Sequence, residues 1–289
     1  MPDPAARDAA EEASAFSHPA VAPDASAAYG EHPDQVVDFY APRDGRQRAP
    51  LVVALHGGAW RAPYDRQHLT PFVDFLARRG FAVANVEYRR GSALPRQGGT
   101  GPVAGRWPET LDDVAAALDA VPRLAAEHLP QADPSRIVLT GHSAGGHLAL
   151  WAAARHVLAP DATWRLPSPP ALRGVVALAP IAHFDRAVEL GVCGGAVTQF
   201  LGGEGEFDVR ARHADPALLL PTGIATTVVQ GRDDVVVPQA VADAYVDAAA
   251  KAGETVGLTL LQDVGHFPLI DPAADACAVV AEEIAQLAF

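Results

Sequence analysis

The stretch Ile137-Val138-Leu139-Thr140-Gly141-His142-Ser143-Ala144-Gly145-Gly146-His147-Leu148-Ala149-Leu150 constrains the fold more than any other part of the chain. An apolar run, a serine set between glycines, and a run with helical spacing together read as strand, sharp turn and helix. A serine at the tip of such a turn needs a strained backbone, and side chains two positions to either side would collide there. Gly141 and Gly145 remove those side chains. Ala144 is small and leaves its N–H open at a helix N-terminus, where negative charge is favoured. The blander reading is a glycine-rich turn with an incidental serine. The strand-like run before Ser143 and the helical positions Leu148, Trp151, Ala152 and Arg155 after it favour a nucleophile.

The rest of the chain fits the same architecture. Leu51–Leu55 is a continuous apolar run of strand length, expected where helices cover both faces of a sheet, and Phe81–Val86, Leu172–Ala179, Ala225–Gln230 and Val256–Leu261 read as further strands. Helical patterns separate them at Pro71–Arg79, Thr110–Leu129, Pro238–Ala252 and Pro272–Leu287, with Pro122 expected to kink or split the second. Val36–Tyr40 reads as an early strand. Strands alternating with helices imply βαβ units and a mainly parallel sheet with right-handed crossovers, an α/β fold whose ligands lie beyond the C-terminal strand ends. Residues 29–289 form one expected domain. Residues 1–28, rich in Ala, Pro, Asp and Glu, are expected to be a partly disordered extension with a short helix begun by Asp3 and Pro4. The stretch Arg89–Trp107 reads as an irregular loop, and Ile181–Leu220 as short helices and loops that make at most a small lid.

Composition excludes several classes. With Lys+Arg 22 against Asp+Glu 35, the formal charge of −13 opposes binding to nucleic acid or to an anionic membrane surface. No basic-then-apolar leader and no apolar run of about 18 residues is visible, so a soluble, cytoplasmic protein is expected. Cys193 and Cys277 form no C-x-x-C pair and are expected to be free thiols. No clustered metal-ligand motif and no phosphate-binding glycine loop occurs, so neither metal nor cofactor is implied. The oligomeric state is not given by the sequence, and a homodimer stays open.

A serine hydroxyl attacks a carbonyl at neutral pH only with a base in reach and an acid to orient that base. The segment Gln230-Gly231-Arg232-Asp233-Asp234-Val235-Val236-Val237-Pro238 follows a buried strand and offers the carboxylate. Gly265-His266-Phe267 follows the last strand and offers the imidazole. The order Ser143, Asp, His266 suits this kind of nucleophile turn. His142 and His147 flank the serine but are expected to pack locally, as His56 is expected to fix its own loop.

On these residues the chain resembles an α/β-hydrolase from about Val36 to its end. His56-Gly57-Gly58-Ala59-Trp60 resembles the HGG-x-W oxyanion loop of the kynurenine formamidase and small carboxylesterase branch. The family pattern G-x-x-D-x-x-V-P falls on Gly231, Asp234, Val237 and Pro238, which favours Asp234 over Asp233 as the acid. The resemblance implies catalytic Ser143, Asp234 and His266, with the N–H groups of Gly58, Ala59 and Ala144 as oxyanion donors. Trp60, Tyr64, His183 and Phe267 are expected to face the substrate, with Trp107 and Phe184 near the mouth. The implied partner is a small-molecule ester or amide, with N-formylkynurenine as the specific candidate. A general short-chain carboxylesterase, an acyltransferase or tailoring hydrolase, and a non-catalytic binding module on the same fold remain open.

Overall fold

The computed structural model describes residues 3–92 and 103–289. Eight strands form one sheet: β1 (Ala25–Ala28), β2 (Val36–Tyr40), β3 (Ala49–Leu55), β4 (Ala82–Val86), β5 (Ala132–His142), β6 (Gly174–Leu178), β7 (Thr226–Gly231) and β8 (Gly257–Leu261). Their spatial order is β1-β2-β4-β3-β5-β6-β7-β8. The pairs β1–β2 and β2–β4 are antiparallel, and every pair from β4 to β8 is parallel. This is the α/β-hydrolase fold. The order reverses around β3 and β5, so the loops leaving those two strands diverge and open a crevice between them.

Each central strand divides its side chains between two cores because successive residues point to opposite faces. Leu51, Val53 and Leu55 of β3 face one layer, which holds α3 (Glu109–His128), α4 (Ala144–Ala153) and α8 (Gln239–Lys251). Val52 and Ala54 face the other, packed by α2 (Thr70–Arg78) and α9 (Asp275–Ala288). All seven residues of β3 are buried, as expected for a strand covered on both sides.

The helix expected from Asp3 and Pro4 is present: α1 (Pro4–Ala15) starts at Asp3, whose side chain accepts from Ala5 N–H at 3.3 Å, and β1 extends the sheet. The segment is poor in large apolar residues, yet its polar side chains bind the body of the protein, which composition does not reveal. Pro122 neither splits nor ends α3, which runs unbroken through it. Val114, Ala117, Val121, Leu124 and Ala125 are buried on both sides of the proline, and this packing holds the helix across the missing hydrogen bond.

The Ile181–Leu220 region contains the short helices α5 (Phe184–Glu189), α6 (Ala196–Phe200) and α7 (Phe207–Ala214). The middle of the expected Arg89–Trp107 loop lies outside the described residues. No described helix is long and apolar enough to cross a membrane.

Candidate active site

Ser143 stands between β5 and α4 with φ 57° and ψ −117°, a conformation rarely adopted by residues other than glycine. Its N–H donates to the Leu178 carbonyl at 2.8 Å, which ties the turn to β6. The glycines act as the spacing requires. A Cβ on Gly141 would lie 2.3 Å from the Gly145 oxygen, and one on Gly145 would lie 2.0 Å from the Leu55 oxygen.

The loop after β3 presses on this turn from one side. A Cβ on Gly57 would come within 2.8 Å of the His142 oxygen and 3.3 Å of Ser143 Cβ. Gly58, Ala59 and Trp60 all have positive φ, so the backbone coils tightly enough to bring Gly58 and Ala59 to the cavity wall beside Ser143. Ala144 is fully buried at the first turn of α4. Buried supports hold the loop in place. His56 Nδ1 contacts the Gly57 oxygen at 2.9 Å, His56 Nε2 contacts Glu87 Oε1 at 2.8 Å, and the ring stacks on Tyr88 with centroids 4.2 Å apart. Burial pushes the Glu87 carboxyl up, but His56, Arg90 and the Arg66 N–H outweigh it and hold the group at about 2. The Trp60 carbonyl accepts from Gly91 and Gly105, both at 2.8 Å.

On the other side, Asp234 and His266 meet beyond β7 and β8. His266 Nδ1 lies 2.6 Å from Asp234 Oδ2. Asp234 Oδ1 accepts from the N–H groups of Val236 and Val237 at 2.9 and 2.8 Å, and Gln230 Nε2 donates to Oδ2 at 3.2 Å. These donors fix the orientation of the carboxylate. Asp233 points elsewhere, to Arg7. His142 packs on His266 with centroids 4.3 Å apart, and its Nε2 donates to the His266 carbonyl at 3.0 Å. Burial, reinforced by the neighbouring imidazole, drives the His142 pKa well down, so it is a neutral packing group.

Ser143, His266, Gly58 and Ala59 open together onto a cavity of about 250 Å³, also lined by Tyr64, Phe267, Arg61 and Cys193. Burial raises the Cys193 thiol to about 11, so it is not a competing nucleophile. The remaining wall was not foreseen: Asp8, Glu12 and Phe16 come from the N-terminal segment. Two sequence-predicted contacts fall outside the cavity. Trp60 is fully buried, stacked 4.6 Å from Phe200 and edge-on to His147 at 5.1 Å, where it braces the loop from behind. His183 caps α5, accepting from Arg186 N–H at 3.4 Å, and does not line the cavity. Phe184, expected near the mouth, is buried in the core, and Trp107 packs edge-on against Trp164. Among the described residues, no group of three or more His, Cys, Asp or Glu side chains is placed to hold a metal.

Sheet order, the strained serine turn and its flanking loops define a member of the α/β-hydrolase superfamily. Within it, residues 37–246 match the BD-FAE family profile, and the chain belongs to that family. The probable isoprenylcysteine alpha-carbonyl methylesterase ICME of Oryza sativa subsp. japonica is 25% identical over 250 residues, 83% of this chain and 57% of that protein. The chain thus spans less than two thirds of that relative's length. Among solved structures, a truncated carbohydrate esterase from gut microbiota superposes with a TM-score of 0.74 at 19% identity, covering 93% of this chain and 99% of that one. Esterase B of Lactobacillus rhamnosis, inhibited by a tributyrin phosphonate, gives 0.73 at 20% identity, covering 98% and 90%.

Proposed function

We infer that the protein is a serine hydrolase of small carboxylic esters. The observation that carries this reading is the 2.6 Å contact between His266 Nδ1 and Asp234 Oδ2 at a cavity shared with the strained Ser143. In the mechanism, His266 Nε2 takes the Ser143 proton as Oγ attacks the acyl carbonyl, and Asp234 stabilises the imidazolium that forms. The N–H groups of Gly58, Ala59 and Ala144 receive the oxyanion, each donor supplying about 3 kcal/mol of transition-state stabilisation. His266 then protonates the departing alcohol. Water, activated by the same imidazole, releases the acid and regenerates Ser143. A cavity of about 250 Å³ suits a short acyl group. The methylesterase and esterase names of the relatives support an ester over other acyl donors.

An aryl formamide, with N-formylkynurenine as the specific substrate, is the second reading. The HGG-x-W loop and the rings of Tyr64, Phe267 and Phe16 around the cavity favour it. The test is a panel of p-nitrophenyl esters and N-formylkynurenine on wild type and Ser143→Ala. Ester hydrolysis lost in Ser143→Ala, together with phosphonate labelling of Ser143, supports the proposal. Undiminished turnover in the variant removes it. The larger kcat/KM decides between ester and formamide.

A further inference from the structure

Arg7 and Glu11 stand one turn apart on α1, with Arg7 Nε 3.6 Å from Glu11 Oε1, and they reach two different loops beyond the sheet. Arg7 Nη1 donates to Asp233 Oδ2 at 3.0 Å and Arg7 Nη2 to the Asp233 carbonyl at 3.2 Å. Glu11 Oε1 accepts from Gly265 N–H at 3.3 Å. Asp233 and Gly265 are the residues immediately before Asp234 and His266. The two loops also bind each other, since Asp233 N–H donates to the Val264 carbonyl at 3.0 Å. The fit is close: a Cβ on Gly265 would lie 2.0 Å from Glu11 Oε2. One turn further, Ser14 Oγ donates to Asp271 Oδ2 at 2.6 Å, beyond the short turn that follows His266. Arg7, Glu11 and Ser14 fall at i, i+4 and i+7, so a single helix face makes all these contacts.

We propose that this face of α1 is a positioning device for the catalytic centre. Arg7 and Glu11 hold the loops that present Asp234 and His266, so turnover depends on the N-terminal segment while the fold does not. The proposal rests on Asp234 and His266 acting as acid and base. The Arg7 and Asp233 side chains are 28% and 36% exposed, so their ion pair is screened and adds little to stability. Position is a far steeper variable, because a displacement of about 1 Å at a reacting group costs on the order of 10²-fold in rate. Arg7 and Glu11 reach the acid and base only through neighbouring residues, and act as positioning residues.

The experiment compares wild type with Arg7→Ala/Glu11→Ala and with the conservative pair Arg7→Lys/Glu11→Gln. The alanine pair is expected to lower kcat about 10- to 100-fold, with KM within about twofold and the thermal midpoint near that of wild type. The conservative pair keeps a cation and an acceptor and should recover most of the loss. A second readout needs no turnover: a proton in the short His266 Nδ1–Asp234 hydrogen bond is expected to be strongly deshielded, and its resonance should move or broaden in the alanine pair and return in the conservative pair. An unchanged kcat with an unchanged resonance overturns the proposal, as does a loss of rate that only tracks loss of folded protein. If wild-type turnover survives Ser143→Ala, the serine-hydrolase reading fails, and the resonance alone still decides whether α1 positions the pair.

Discussion

The two walls of the cavity at Ser143 are built on opposite principles. One is made of backbone: the Ser143 turn and the Gly57–Trp60 loop sit at the ends of β5 and β3, where glycines leave no room to move and buried side chains brace from behind. The other is made of side chains from the N-terminal segment, Asp8 and Glu12 of α1 and Phe16 just after it, while Arg7 and Glu11 of the same helix bind loops from the far end of the chain. Charge on the transition state needs donors that do not reorganise, which favours backbone fixed in a sheet. Shape and the placing of a loop can be set by weaker contacts. Substitutions in the first wall are therefore expected to be severe, and those in the second graded.

The largest contrast is between adjacent aspartates. Asp234→Asn keeps the size of the group but loses the charge and the His266 tautomer it sets, and is expected to lower kcat on the order of 10⁴-fold. Asp233→Asn weakens only the contact to Arg7 and is expected to cost about tenfold or less. Steady-state kinetics on the two variants checks this, and equal losses would erase the distinction between the walls. Next is Gly145→Ala, whose added methyl meets two backbone oxygens, Leu55 at 2.0 Å and His56 at 2.5 Å. Neither can swing away, so a destabilisation of about 3 kcal/mol is expected in urea melts.

The same division explains what the sequence discloses. The meeting of Ser143, Asp234 and His266 is legible because each follows a strand of the parallel sheet, and the ends of parallel strands converge. The Gly57–Trp60 loop is legible through its glycines. Glu87 is not, because the partners that hold it ionised under the loop come from separate segments. Trp60 is misplaced for a related reason: its position in the loop is readable, but whether its ring faces the cavity or Phe200 depends on α6, far along the chain. The α1 wall is hidden most completely. Arg7, Glu11 and Ser14 look like the solvated face of a helix, and nothing local says that Asp233, Gly265 and Asp271 lie against it.

Behind the first wall, burial of His147 couples stability to pH. The ring is fully buried against Trp60, Phe184 and Phe200, its Nε2 contacts the Ala214 carbonyl at 2.9 Å, and burial lowers its pKa to about 3. Between the unfolded value near 6.5 and about 3, the unfolded chain binds the proton and the folded one does not, so stability falls as pH falls. His147→Gln removes that titration. Relative to wild type, the variant should gain about 1.4 kcal/mol per pH unit below 6.5, whatever its difference at pH 8. Urea melts of both proteins at pH 8, 6 and 5 measure the slope, and parallel curves would place a charged imidazole in the folded core.

The smallest effect belongs to the second wall. Phe16 is 37% exposed, and its ring stands 5.6 Å from Phe267, 5.5 Å from His68 and 6.4 Å from Tyr64. It touches none of Ser143, Asp234 or His266 through a hydrogen bond, so its truncation leaves the proton path intact and removes only apolar surface at the rim. A partly exposed aromatic contact of this kind contributes on the order of 0.5–1 kcal/mol. Phe16→Ala is therefore expected to raise KM for a phenyl ester about threefold while leaving kcat, and both constants for a methyl ester, near wild type. A fall in kcat for both esters would mean that the α1 wall reaches the reacting atoms through Phe267 and the His266 turn. Phe16 would then belong with Arg7 and Glu11, and the second wall would act by holding the base as well as by shaping the rim.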